Sequence, residues 1–210
     1  MPEQVEITLH GSRLHLLAGR GLYWPAQQLL GIADLHLAKD DTFRRHGIAV
    51  PSGGTTHDLA RLERLLAHTA ATRVLILGDV LHGHWQGEQW RAPWLALQQR
   101  WPHVRWQALA GNHDRHLAGA GLGLELLGEQ VDIDGIALRH EPADGSAPTI
   151  CGHLHPVLRL PGLPRRVPVF WLAGQQLVLP AFSAFTGGYL LRPRRGERYF
   201  ACDDEAIVPI

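Results

Sequence analysis

Hydrophobic and polar positions alternate or run apolar over residues 5–9, 13–17 and 21–24, with Gly11 and the Gly19–Gly21 stretch between them. Successive side chains on an extended strand face opposite sides, so this pattern predicts an N-terminal β-meander. Leu29-Leu30-Gly31-Ile32-Ala33 predicts a short buried strand ending at Asp34. Arg73–Leu77 and Val104–Ala110 predict two more, ending at Asp79 and Gly111. Between them, Leu59, Leu62, Leu65 and Leu66 recur at helical spacing, after Thr55 and Asp58 spaced as a capping box. Trp90, Trp94, Leu97 and Trp101 predict a second helix closed by Pro102, their aromatic stripe reading as core. A short helix is expected near 113–118, and the polar, Gly/Pro-punctuated stretch 39–54 reads as a long functional loop.

The pattern then changes. Short apolar runs at 131–133, 136–140, 149–152, 167–172, 175–179 and 187–191 are separated by Gly/Pro turns. The first half therefore reads as βαβα with a parallel sheet, the second as antiparallel β. Two sheets packed face to face with helices outside would accommodate both. At 210 residues the chain is expected to be one domain, residues 1–210, with a substantial core.

Composition narrows the function classes. Twenty Lys+Arg balance twenty Asp+Glu, so net charge makes no global case for nucleic acid, while leaving room for a local basic groove. All basic residues but Lys39 are arginine. Cys151 and Cys202 suggest neither a disulfide framework nor a Cys-x-x-Cys pair. With no signal-like N-terminus and no apolar run of membrane-spanning length, the expectation is a cytoplasmic protein without membrane association. Fourteen histidines exceed what packing needs, and six of them lie in or beside the phrases that follow.

Those phrases are Asp34-Leu-His36, Gly78-Asp79, Gly111-Asn112-His113-Asp114, a lone His140, and Gly152-His153-Leu154-His155. The first four each follow an apolar run. Carboxylates, neutral imidazoles and an amide oxygen suit a pair of divalent cations such as Mn²⁺, Fe²⁺ or Zn²⁺. Asp34 and His36 lie two apart, so on an extended strand end both side chains would point one way, as would His153 and His155. Asp79 follows a glycine that lets the chain bend, and a carboxylate there can bridge two cations. No nucleophile elbow, P-loop or complete dinucleotide turn competes.

Together these phrases resemble the calcineurin-like, binuclear metallophosphoesterase superfamily, which carries D-x-H, G-D, G-N-H-[DE], H and G-H-x-H in that order. The resemblance implies an α/β, four-layer αββα sandwich with two central mixed β-sheets flanked by helices. It implies one metal held by Asp34, His36, Asp79 and His155, and a second by Asp79, Asn112, His140 and His153. Two cations about 3.5–4 Å apart would acidify a bridging water and clamp the phosphoryl oxygens for in-line attack. By the same resemblance His113 stabilises the transition state or protonates the leaving oxygen, with Asp114 orienting its imidazole. His82 sits where nuclease members often place a histidine, although a solvated loop histidine is an equal reading.

Further stretches resemble one branch, the bacterial ligase-associated DNA damage response endonucleases. They include Asp34-Leu-His-Leu-Ala-Lys39, Thr42-Phe-Arg-Arg45, Asp58-Leu-x-Arg61-Leu, His140-Glu-Pro142, Leu179-Pro-Ala-Phe182 and Phe185-Thr-Gly-Gly188. The implied activity is manganese-dependent cleavage of DNA phosphodiesters in single-stranded or flapped regions. Its implied setting is DNA repair alongside a ligase, helicase or exonuclease. Lys39 and Arg44 are candidates to hold a phosphate beside the metals, and Phe43 either stacks on a base or packs under its loop. The competing readings are a small-molecule phosphoesterase using the same metals and a metal-stabilised scaffold without catalysis. The complete ligand set disfavours the scaffold.

Overall fold

The computed structural model describes residues 3–39, 43, 47, 53–82, 90–184 and 186–210. Arg44, Thr42, Arg45 and Phe185, named above, lie outside the described residues. The N-terminal meander forms as expected from β1 (Gln4–Leu9), β2 (Ser12–Leu17) and β3 (Gly21–Trp24). It pairs antiparallel onto β4 (Leu29–Ile32), which leads a parallel run through β5 (Arg73–Ile76), β6 (Arg105–Ala108) and β7 (Glu125–Leu126). The two-residue β7 carries too little pattern to read from sequence.

Helices α1 (Gly54–His68) and α2 (Arg91–Arg100) cover one face of this sheet. The alternation along β5 explains the layering. Val74 and Ile76 point to the helices, packing with Leu59, Leu62, Leu66, Trp94 and Leu97. Leu75 and Leu77 point the other way and pack with Ile136, Leu138, Ile150, Phe170 and Leu177 of the second sheet. Each fully buried Leu or Ile of these layers contributes on the order of 1.5–3 kcal/mol.

The second sheet contains β8 (Gln130–Ile133), β9 (Ile136–Arg139), β10 (Thr149–Cys151), β11 (Pro156–Arg159), β12 (Arg166–Ala173), β13 (Gln176–Val178), β14 (Tyr189–Leu190), β15 (Arg198–Cys202) and β16 (Ile207–Pro209). The architecture is thus the expected α/β sandwich of two central mixed sheets. Among the described residues no helix is long and apolar enough to cross a membrane.

Three expectations are corrected. The second half is mixed, because β10 runs parallel to both β9 and β13, and β11 is parallel to β14. Apolar runs of three or four residues carry no record of partner direction, which long-range pairing decides. Residues 113–118 do not form an α-helix, the only helical turn there being a 3₁₀ turn over Leu117–Gly119. The capping box is absent as well. Helix α1 starts after Gly53, at φ 93°, without a side-chain cap, and Asp58 is instead buried in an i,i+3 ion pair with Arg61 of the same helix.

Candidate metal centre

All five phrases converge where strands of both sheets end. Asp34 and His36 follow β4, Asp79 follows β5, and Asn112 and His113 follow β6. His140 follows β9, while His153 and His155 lie on the turn between β10 and β11. The carboxyl ends of parallel strands are where an α/β sheet commonly opens a binding crevice. The sheets are tied together at this point. Phe182 N–H donates to Ala33 C=O (2.7 Å) and Ser183 N–H to Asp34 C=O (3.2 Å), while within the second sheet Gly152 N–H donates to His140 C=O (2.9 Å).

The ligand-type residues do not sit on extended backbone, which corrects the same-side argument for Asp34/His36 and His153/His155. Asp34 (φ 54°), His36 (48°), Asp79 (49°), His153 (68°) and His155 (50°) are all left-handed. Asp and His tolerate that region better than most residues, and each non-glycine there still costs on the order of 1 kcal/mol. The ladder holds the strain in place, with His36 N–H donating to Asp79 C=O (2.9 Å) and Leu37 N–H to Val80 C=O (2.8 Å).

Close approach explains the motif glycines. A Cβ on Gly111 would lie 2.1 Å from the Asp79 nitrogen, and one on Gly152 would lie 2.7 Å from Asp34 Oδ2. A Cβ on Gly78, already at φ 78°, would meet His140 Nδ1 at 2.5 Å.

Two carboxylates form the centre of the cluster. Asp34 Oδ1 lies 3.3 Å from His155 Nε2 and 3.8 Å from His140 Nδ1. Asp79 lies 3.6 Å from His140 Nε2, 3.9 Å from His113 Nε2 and 4.0 Å from His36 Nε2. His153 Nδ1 stands 3.1 Å from His140 Nε2. The second oxygens are anchored to the backbone, Asp34 Oδ2 by His153 N–H and Asp79 Oδ1 by His113 N–H, both at 3.0 Å.

Two groups of donor atoms lie close enough for one cation each, Asp34/His36/His155 and Asp34/Asp79/His140. Asp34 Oδ1, both His36 ring nitrogens and His155 Nε2 are buried without a hydrogen-bond partner. Orphaned buried polar atoms are costly, and a divalent cation would satisfy the Asp34 oxygen and one nitrogen of each imidazole, so the residues suit metal. Burial also pushes the His36 pKa far down, with repulsion from Lys39 adding to it, which keeps the imidazole neutral as a ligand must be. His140 Nδ1 is 2.8 Å from Leu77 C=O; donation there makes Nε2, on the His153 side, the unprotonated nitrogen that a cation requires.

The remaining site residues divide by location. His113 is half exposed at the rim. His82 packs edge-on to His36 and beside His113, with ring centroids 5.2 Å away in each case. Its pKa falls to about 4, first through burial and then through the neighbouring Lys39 charge. Lys39 is buried, with its pKa lowered by desolvation against the opposing pull of Asp34 and Asp79, and its ammonium lies 5.9 Å from the Phe43 ring centroid.

Asp114 takes a different position from the one the resemblance implies. Its carboxylate accepts Val80 N–H (3.2 Å), Leu81 N–H (3.1 Å) and Gly111 N–H (3.0 Å). It therefore pins the loop after β5 to the loop after β6.

Sequence reasoning assigned no role to two further features. Glu141 accepts the Asn112 amide N–H at 2.7 Å, which leaves the Asn112 carbonyl oxygen available to a cation. Arg61, fully buried, pairs with Asp58 at 2.7 Å and donates to Phe182 C=O, while Ala184 N–H donates to Asp58. This pair fixes the 181–184 loop that supports Asp34. The Asp58-x-x-Arg61 spacing on one helix face was the available signal.

No family model and no curated protein matches the chain. Among solved structures, the nuclease MPE of Pseudomonas putida is 33% identical, with 99% of this chain and 100% of that one covered and a TM-score of 0.85. The Escherichia coli phosphoesterase YfcE is 19% identical over 87% of this chain and 97% of its own, with a TM-score of 0.47. A protein of unknown function from Aquifex aeolicus, AQ665, is 18% identical over 60% and 78%, with a TM-score of 0.44.

Proposed function

The chain belongs to the calcineurin-like metallophosphoesterase superfamily, and from that premise we propose that it is a manganese-dependent nuclease that hydrolyses DNA phosphodiesters, favouring single-stranded regions, in DNA repair. The observation that carries this reading is the convergence of Asp34, Asp79 and the imidazoles of His36, His140 and His155, with Asp34, His36 and His155 carrying buried polar atoms that lack a hydrogen-bond partner. Asp34, His36, Asp79 and His155 would hold one cation, and Asp79, Asn112, His140 and His153 the other. Carboxylate, imidazole and amide donors together suit a borderline ion such as Mn²⁺, with Fe²⁺ or Zn²⁺ as alternatives. When bound, such ions supply an acidified water and positive charge against phosphoryl oxygens.

The chain's own residues do the rest. His113, at the rim and beside Asp79, is placed to give a proton to the departing oxygen. His82, neutral through burial, packs against the His113 ring and limits its orientations. The Lys39 ammonium, the one lysine of the chain, provides a compact charge for a non-bridging phosphate oxygen. Arg44 is proposed for the same task from its sequence position alone. Asp114 keeps the loops bearing Asp79 and His113 in register.

The test is to incubate the purified protein, metal by metal, with circular single-stranded DNA, duplex DNA and a bis-aryl phosphate. Nicking of the circle with Mn²⁺ supports the reading. Aryl ester hydrolysis without nicking under any metal would instead assign a small-molecule phosphoesterase.

A further inference from the structure

Two grooves flank the metal centre, and their charges are opposite. One, of about 240 Å³, borders Asn112 and His140 and carries Glu129 and Glu141 against the single Arg139. The other, of about 230 Å³, borders His155 and is lined by Arg20, Arg165 and Arg166 with no carboxylate among its described lining residues. The chain as a whole is electrically balanced, so this asymmetry is a local feature.

We propose that the groove beside His155 seats the phosphodiester backbone of the nucleic-acid strand next to the scissile linkage, with Arg165 and Arg166 as the phosphate contacts and Arg20 as the fixed cationic wall. The proposal rests on the nuclease reading and adds to it the direction in which the strand leaves the metals. A polyanion is repelled by the Glu129/Glu141 side and attracted to the arginine side, where it displaces counterions.

The three guanidinium groups are held differently. Arg20 Nη1 donates to the carbonyls of Ala181 (3.3 Å), Phe182 (3.4 Å) and Ser183 (3.1 Å), so it is fixed to the loop that supports Asp34. Arg165 is mostly exposed and only 3.9 Å from Asp203, and Arg166 makes a long 3.4 Å contact to Gly188 C=O. Such loosely held, exposed guanidinium forks are available for bidentate contact with phosphate oxygens. His155 lines the same groove and stands 3.3 Å from Asp34 Oδ1, so a strand lying there continues directly into the metal centre.

The test compares the manganese-loaded wild type with Arg165→Ala/Arg166→Ala. Fluorescence anisotropy on a cleavage-resistant phosphorothioate oligothymidylate reads binding, and bis(4-nitrophenyl) phosphate hydrolysis reads the metal centre. The double variant is expected to bind the oligonucleotide at least tenfold more weakly. Two lost phosphate contacts on a single strand should also lower the slope of log affinity against log salt by about 1.4. Aryl ester kcat/KM should stay within about twofold, and Arg165→Lys/Arg166→Lys should recover most of the salt slope because charge is retained. Unchanged oligonucleotide affinity overturns the proposal, as does an equal loss on the aryl ester, or a larger binding loss from Arg139→Ala in the opposite groove. A wild type that leaves circular single-stranded DNA intact under every metal in the nicking assay defeats the nuclease reading itself, while anisotropy still reports on the groove.

Discussion

Replacing Asp114 separates two roles for its carboxylate. If it orients His113, Asp114→Asn should affect the proton transferred to the leaving group and little else. The structure instead gives it three backbone donors, Val80, Leu81 and Gly111, at 3.0 to 3.2 Å, with the side chain buried. Burial raises its pKa, and the three backbone donors offset only part of that rise. An asparagine keeps one acceptor oxygen, which can serve Val80 and Gly111, and turns its NH₂ against Leu81 N–H. One buried donor left without a partner costs about 1–3 kcal/mol, and losing the charge assistance at the others places the total near 2–3 kcal/mol. Alanine strands all three donors and should cost about 4–6 kcal/mol.

For a chain of this size each kcal/mol corresponds to roughly 2–4 °C in Tm, so Asp114→Asn should melt roughly 4–12 °C below wild type. Differential scanning calorimetry on metal-free protein measures this independently of activity. An Asn variant that melts within about 1 °C of wild type, yet loses activity mainly on esters with poor leaving groups, would refute the loop-clamping argument and restore the orienting role.

Glu141→Ala should weaken binding of the second of two Mn²⁺ ions in isothermal titration, because Asn112 loses the acceptor that fixes its amide; Glu141→Gln, which still accepts, should recover most of the affinity. Arg61→Ala leaves the Asp58 carboxylate buried without its ion-pair partner and should cost about 3–5 kcal/mol in urea denaturation. The volume-preserving double change Asp58→Asn/Arg61→Met should cost distinctly less, and equal costs would contradict the ion-pair account. Cys151 and Cys202 are buried thiols with pKa pushed up to about 12, so a disulfide-exchange reagent should label neither at pH 8 in the folded protein and both in denaturant.

Much of the centre was legible in one dimension because its ligands sit where local pattern changes abruptly. Apolar runs at 29–33 and 73–77 end in Asp34 and Asp79, and the strands end there too. The meander and both helices obey periods set within a few residues, so the chain alone sufficed for them. Glycines 78, 111 and 152 stood out as part of the phrases, but their necessity is tertiary, since each avoids an atom that arrives from a different segment.

Other features depended in part on distant partners. Asp58 reads as a capping residue by spacing, yet it is taken by Arg61 and by Ala184, 126 positions away. Asp114 reads as the neighbour of His113, yet its oxygens serve a loop more than thirty residues earlier. The parallel pairing of β10 with β9 and β13 is likewise invisible in three apolar residues. The amino-acid order determined which donor types exist and at which strand ends they appear, because strand period and turn chemistry are short-range. Which carboxylates face a cation, which pin loops, and on which side the arginines gather were decided only when the two sheets packed, because burial and charge act through space.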